Sequence, residues 1–230
     1  MADTFDTSQS MYSVNNNTNG YLDDFIEPRI YIVSRWIGKD KKVLDAGCYN
    51  GKYSEIFLKN DNEVYGIDAS RDAIEEANKR GVKATVGNLE ARFPFDDKTF
   101  DVVHAGEVVE HLYDTDIFIS ECRRVLKAEG LLIVTTPNTL SLPRRILYLF
   151  GNGRFFEASN TFSTEQKAVG HIRFFTKKLL KRFVESKGFK MEKYTSDQVT
   201  FPFFVSGLLA KIHPTFGRLL IMSFVKKDKR

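Results

Sequence analysis

The chain has 230 residues, 42% hydrophobic and 28% charged, enough apolar material for a sizeable core and a length suited to one large domain. Two cysteines, Cys48 and Cys122, are too few for a disulfide framework, and no Cys or His cluster has zinc-finger spacing, so the expectation is a reducing, cytoplasmic setting. The formal charge of +4 is mild and much of it sits in the closing "VKKDKR", which reads as a solvated tail rather than a nucleic-acid arm.

Residues 1–20 are polar and Asn-rich and predict a flexible tail; the basic start and apolar run of a secretory leader are missing. No run of ~18 apolar residues predicts a membrane span. Residues 21–37, "YLDDFIEPRIYIVSRWI", predict one or two helices in front of a sheet. "KVLDAG" reads as a strand and residues 51–60 as a helix. "EVYGIDA" is a second strand ending at Asp68. "SRDAIEEANKRG" is a helix, with Ser70 as its N-cap and Gly81 just past its end. "VKATVGN" is the third strand, "FDVVHAGE" the fourth, "DTDIFISECRRVLKAEG" the following helix and "LLIVTTPN" the fifth strand. This alternation predicts an α/β fold: an open, doubly wound, mostly parallel sheet with helices on both faces.

The rhythm then breaks. Residues 140–170 carry turns, aromatics and basic residues and read as an insertion. "TKKLLKRFVESKG" is an amphipathic helix presenting Leu179, Leu180, Phe183 and Val184 on one face, "FKMEKYT" a strand, residues 200–218 an apolar, Pro-punctuated cap and "LLIMSFVKK" the last strand. Seven strands result. Residues 21–230 are expected to be a single domain with cap insertions around 140–170 and 200–218.

Ligands on such sheets bind beyond the carboxyl ends of the strands. The first strand ends there at Asp45, and Gly47 and Gly51 flank a turn that lets backbone approach a ligand closely. Asp68 ends the second strand, where a carboxylate can accept both hydroxyls of an adenosine ribose. The turn Gly47-Cys48-Tyr49-Asn50-Gly51 lacks the G-x-G-x-x-G spacing of a dinucleotide site. An acid at position 45 would repel a pyrophosphate but favour a ligand bearing an ammonium and a sulfonium. The charge pattern therefore selects S-adenosylmethionine (SAM).

"VLDAGCYNG", "VYGIDAS", "VGNLEARFPFDDKTFDVVHAGEVVEHL" and "ECRRVLKAEGLLIVTTPN", in that order over residues 42–138, resemble the seven-stranded (class I) SAM-dependent methyltransferase family. The resemblance implies a Rossmann-like fold, SAM as cofactor and S-adenosylhomocysteine as product. It implies Asp45, Ala46, Gly47, Cys48 and Gly51 around the methionine part, Asp68 on the ribose, Ala69, Asn88 and Leu89 at the adenine, and Glu107 near the methionine end or the substrate. Two residues depart from the family pattern: Tyr49 stands where Gly is frequent, and Asn88 where Asp is common. Cys48 reads as structural, with nothing to activate its thiol.

Methyl transfer from a sulfonium is a direct displacement that needs alignment, exclusion of water and, for a hydroxyl or ammonium acceptor, a base. Candidates are Glu107, Glu110 and His111 after the fourth strand and His171 in the insertion, an imidazole being suited to proton transfer near neutrality. Glu-x-x-Glu-His with a distant His also resembles the divalent-metal site of some O-methyltransferases, among them small-RNA 2′-O-methyltransferases and ubiquinone-pathway enzymes. His104 reads as a core residue and His213 as a loop residue. The aromatic clusters "LYLFGNGRFF" and "TFPFFVSGLL" with Arg144, Arg145, Arg154 and Lys211 suggest a greasy, cationic rim, compatible with a small-molecule, glycan or lipid-linked acceptor or a peripheral membrane contact. An oxygen, or nitrogen, nucleophile on such a substrate is the first expectation. An RNA or protein substrate, or a SAM-binding subunit without catalysis, is the alternative.

Overall fold

The computed structural model describes residues 23–152, 170–201 and 204–227. The expected N-terminal tail, residues 153–169 of the first expected insertion with Arg154, residues 202 and 203 of the second, and the last three residues lie outside this set.

Seven strands form the main sheet in the order β3-β2-β1-β4-β5-β9-β6. They are β1 (Lys42–Ala46), β2 (Glu63–Asp68), β3 (Lys83–Val86), β4 (Phe100–Gly106), β5 (Leu126–Pro137), β6 (Phe189–Thr195) and β9 (Leu219–Lys226). The first five pair in parallel, while β9 runs antiparallel between β5 and β6. The expected α/β class and seven-stranded sheet are thus observed. A hairpin, β7 (Val199–Phe201) with β8 (Phe204–Ser206), adds a two-stranded sheet beside it.

Alternation along the strands explains the two-faced sheet. Val43, Val102, Ile133 and Ile221 point to one face, under Ile30, Val33 and Ile37 of helix α1 (Asp23–Ile37) and Phe57 of α2 (Ser54–Leu58). Their neighbours Leu44, Val103, Val134, Leu220 and Met222 point to the other, under Phe118, Ile119 and Cys122 of α4 (Thr115–Val125) and Leu180 and Val184 of α6 (Lys177–Ser186). Helix α3 (Arg71–Lys79) starts where Ser70 Oγ accepts from the Ala73 amide at 3.3 Å, as its sequence predicts.

Several expected boundaries shift. The helix read over 51–60 is a single turn at 54–58. The helix read over 114–130 stops at Val125, and residues 126–130 already belong to β5. Leu126 is fully buried and pairs with Phe100, whereas Leu131 pairs with Val102, so the intervening residues bulge, with Glu129 at φ +55°. The Lys226 ammonium donates to the Leu126 carbonyl that one more helical turn would have used. The third strand is trimmed to four residues and the fourth ends at Gly106, leaving Glu107 just outside it.

Among the described residues, the segments expected to form a cap carry α5 (Leu142–Leu149), the β7–β8 hairpin, α7 (Gly207–Ile212) and a 3₁₀ turn at Pro214–Phe216. Asn138 fastens the 3₁₀-turn segment to the end of β5, its amide donating to the carbonyls of Thr215 (3.1 Å) and Gly217 (2.9 Å). Buried Asp197 accepts from the Arg218 guanidinium at 2.7 Å and from the Leu219 amide at 3.1 Å. Among the described residues, no helix is long and apolar enough to cross a membrane.

Candidate active site

The strand order reverses between β1 and β4, which opens a crevice at their carboxyl ends. On the β1 side, Gly47 has φ +85°, and a Cβ there would lie 2.4 Å from Val108 Cγ2. Gly51 has φ +75°, and its Cβ would meet the Ala77 backbone at 2.9 Å. Only glycine fits either position. Tyr49 nevertheless takes a left-handed φ of +46°. Its amide donates to Asp68 Oδ2 at 2.9 Å, and the Ser70 amide donates to Oδ1 at 3.0 Å. Burial raises the Asp68 carboxyl above its usual range against these backbone donors. Both oxygens are fixed in direction, with lone pairs remaining for a pair of hydroxyls.

Asp45 is committed elsewhere. Its Oδ1 meets His104 Nδ1 at 2.8 Å and its Oδ2 accepts from Ser54 Oγ at 2.5 Å, all three residues being buried. The side chain expected to face the methionine part instead ties β1 to β4 and to α2 beneath the turn. His104 is the core residue the sequence suggests, with its ring edge-on to Phe57. Ala46 is fully buried at the end of β1, and Cys48 is buried with its thiol pushed far up by loss of hydration, in keeping with a structural role. Leu89 is buried and lies near Gly47. Asn88 spends one lone pair of its side-chain carbonyl on the Glu90 amide at 2.8 Å. Ala69 follows Asp68 at the mouth of β2.

The β4 side holds the chemistry-bearing groups. Glu107 leaves the strand at φ +56°. Its Oε1 accepts from Thr135 Oγ1 at 2.9 Å and pairs with Arg29 Nη1 at 3.1 Å. Arg29 was not singled out by the sequence reading. It is buried, donates to Thr135 Oγ1 at 3.0 Å and lies over the Tyr53 ring. The signal was present: Arg29 shares an i, i+4, i+8 stripe with Val33 and Ile37, and a cation on an apolar helix face needs a partner.

Glu110 is fully buried. Its Oε2 accepts from Thr136 Oγ1 at 2.9 Å, while Oε1 has no protein hydrogen-bond partner. Burial, with the Glu107 charge adding, raises its carboxyl well above the ordinary range. His111 follows, its Nδ1 3.3 Å from the Gly170 carbonyl, which places a proton on Nδ1 and the lone pair on Nε2. Residues 170–175 are clamped onto this loop. The Ile172 and Arg173 amides donate to the Glu110 carbonyl at 2.9 and 3.1 Å, and the Arg173 guanidinium donates to the carbonyls of Leu112 and Tyr113. The clamp delivers His171, whose ring meets that of His111 at 4.6 Å and whose Nε2 lies 4.0 Å from Glu110 Oε1. Burial, with the charges of His111 and Arg144 adding, pushes the His171 imidazole down to about 3; burial also lowers His111. One ligand atom from each of Glu110, His111 and His171 lies within 4.8 Å of the others. Four of the expected residues are thus neighbours, but Glu107 turns toward Arg29 and the other three form a separate cluster. His213 sits between α7 and the 3₁₀ turn, its ring 5.1 Å from that of Phe216.

Residues 44–134 match the family model described as a methyltransferase domain. A Pelagibacter ubique protein named ubiquinone biosynthesis O-methyltransferase is 38% identical over 104 residues, 44% of this chain and 43% of that protein. A Mycolicibacterium smegmatis protein named probable S-adenosylmethionine-dependent methyltransferase is 35% identical over 112 residues, 48% of this chain and 42% of that protein. The matched stretch therefore spans under half the length of these relatives. Among solved structures, a SAM-dependent methyltransferase from Thermotoga maritima superposes with a TM-score of 0.67 at 19% identity, covering 95% of this chain and 99% of that one. A Methanosarcina mazei SAM-dependent methyltransferase gives 0.64 at 19% identity, covering 86% and 98%. At such identities the likeness is one of fold.

Proposed function

We propose that this chain is a seven-stranded SAM-dependent methyltransferase, a reading supported by its fold and its relatives, and that it methylates a hydroxyl oxygen of a small molecule and uses a divalent cation to do so. The observation that carries this reading is Glu110 Oε1, a buried carboxyl oxygen with no protein hydrogen-bond partner, facing two imidazoles whose pKa burial lowers. Orphaned buried polar atoms are costly, and a cation among one carboxylate and two imidazole nitrogens removes that cost.

The donor side supplies positioning. Asp68, held by two amides, accepts from the ribose hydroxyls, and the glycine turn admits the methionine chain against backbone. On the acceptor side, His171 is a poor base at neutral pH with its imidazole near 3, so a ligand role suits it better than proton transfer. His111 offers Nε2 because its Nδ1 faces the Gly170 carbonyl, the outer-shell arrangement that orients ligating histidines. A cation bound by Glu110, His111 and His171 would lower the pKa of an acceptor hydroxyl and orient it. The cap helix α5 brings Arg144 close enough for its charge to act on His171, so the same wall that excludes water carries a cation suited to an electron-rich, ionisable acceptor. The relatives named O-methyltransferases support oxygen as the acceptor atom.

The test is S-adenosylhomocysteine release from SAM over a panel of phenols carrying a second oxygen able to chelate. EDTA should abolish release, and one of Mg²⁺, Mn²⁺ or Zn²⁺ should restore it. Turnover untouched by chelation would remove the cation from the mechanism. SAM binding without release on any acceptor would identify a non-catalytic binding subunit instead.

A further inference from the structure

We infer that Glu107 is shared between two partners, so that the methyl donor and a divalent cation bind cooperatively through the Arg29–Glu107 pair. The inference rests on the cation site proposed above and concerns a residue outside its three clustered ligands. Glu107 is three positions before Glu110 and four before His111 on the same connecting loop. Yet its carboxylate is turned to the Arg29 guanidinium, 3.1 Å away, and to Thr135 Oγ1. Thr136, the next residue of β5, holds Glu110. Two successive threonines thus keep two carboxylates apart, one toward α1 and one toward His171.

The side chains differ in freedom. That of Arg29 is 4% exposed and that of Glu107 29% exposed, so Glu107 can turn and Arg29 cannot leave. A cation beside Glu110 attracts the Glu107 carboxylate, three residues earlier on the same loop. When Glu107 turns to it, a buried guanidinium loses its counter-charge, a strongly unfavourable outcome unless another anion replaces it. The donor brings that anion: its methionine part carries a carboxylate. Arg29 is placed to meet this group: it lies over Tyr53, just past Gly51 of the glycine turn, and against Thr135 near the end of β5. Its Nε is buried and has no protein hydrogen-bond partner, leaving a donor for an incoming oxygen. Each ligand therefore removes the cost of binding the other, and linkage requires the two enhancements to be equal.

The experiment is calorimetric and needs no turnover. Mn²⁺ is titrated into the full chain with and without saturating S-adenosylhomocysteine, which keeps the carboxylate but donates no methyl group, and the reverse titration is run with and without Mn²⁺. The expected result is tightening of about tenfold or more, within the usual 5–150-fold range of coupling and equal in both directions. Glu107→Gln should abolish the coupling while leaving Mn²⁺ bound more weakly by the three remaining ligands. Arg29→Met should tighten Mn²⁺ in the absence of S-adenosylhomocysteine, because Glu107 is already released. Mn²⁺ affinity that is unchanged by S-adenosylhomocysteine in the wild type overturns the coupling and leaves the cation site standing. Absence of any Mn²⁺, Mg²⁺ or Zn²⁺ binding overturns both. Coupling that persists in Glu107→Gln overturns the assignment to Glu107.

Discussion

Glu110 Oε1 and His171 Nε2 face each other across 4.0 Å in the interior of the crevice, their side chains 1% and 8% exposed. The gap is too long for a hydrogen bond. Burial raises the carboxyl and lowers the imidazole, favouring the neutral form of each, so neither group compensates the other. Ligand bonds of ~2.0–2.2 Å place ligand atoms up to ~4.4 Å apart around one cation, close to the observed spread. An acid and a histidine brought together by a clamp from residues 170–175 and left unbonded are better suited to a third body than to each other.

Burial favours the neutral form of Glu110 in the cation-free chain, and Glu110→Gln imitates that form. The folded pKa is raised, so the folded chain holds more protons than the unfolded chain once the pH exceeds the ordinary carboxyl value, and stability falls as pH rises through that range. Glutamine carries no such penalty. In EDTA the variant should melt at a higher temperature than wild type at pH 7.5, and the advantage should vanish near pH 4. The same variant should lose Mn²⁺ binding. A variant less stable than wild type at both pH values would show that the carboxyl is ionised and paired.

His171 has the opposite sign. Its folded pKa, about 3, lies below the ordinary 6.5, so the unfolded chain takes up a proton first and stability is lost as pH falls from about 6.5 toward 3. Between pH 7.5 and 5 the loss from this residue should be ~1–2 kcal/mol, at 1.36 kcal/mol per unit. His171→Gln should flatten that part of the pH profile in urea unfolding. An unchanged slope would assign the acid sensitivity to other groups, His111 first.

The turn is tested at Gly47. An alanine there meets both a left-handed φ of +85° and a 2.4 Å contact with Val108 Cγ2. The backbone costs ~1–2 kcal/mol and the overpacking ~1–3 kcal/mol. Gly47→Ala should therefore unfold at markedly lower denaturant and bind no S-adenosylhomocysteine. Adding Val108→Ala should recover the packing part and not the backbone part. Full recovery in the double variant would place the whole cost in the contact.

How legible these features were depended on how local their causes are. The N-cap at Ser70, the turn glycines and the alternation that splits Leu44 from Val43 are written in neighbouring residues, and the sheet follows from them. The end of α4 was not, because Leu126 leaves the helix to pair with Phe100 and to receive Lys226, a residue 100 positions away. Asp45 was read from its position in the turn. Its side-chain direction is set by His104 and Ser54 on other elements, which no spacing within "VLDAG" reveals. Arg29 was visible only as an arginine on an apolar stripe, and its partner Glu107 lies 78 positions further along the chain.

Asp68 supports the last prediction. Its two oxygens are aimed by the Tyr49 and Ser70 amides, so an asparagine must turn its NH₂ toward one of those donors and can accept at only one oxygen. It also forfeits charge assistance at the ribose hydroxyls. Hydrogen bonds to charged groups contribute ~1.5–3 kcal/mol, so Asp68→Asn should weaken S-adenosylhomocysteine binding by about 10- to 100-fold by calorimetry. Because Asp68 stands on the β2 side of the crevice, Mn²⁺ affinity measured without S-adenosylhomocysteine should stay at the wild-type value. The pair of results separates the donor half of the site from the cation half. Unaltered S-adenosylhomocysteine affinity in Asp68→Asn would mean that the ribose is held elsewhere, while a parallel loss of Mn²⁺ would mean that the substitution disturbs the fold as a whole.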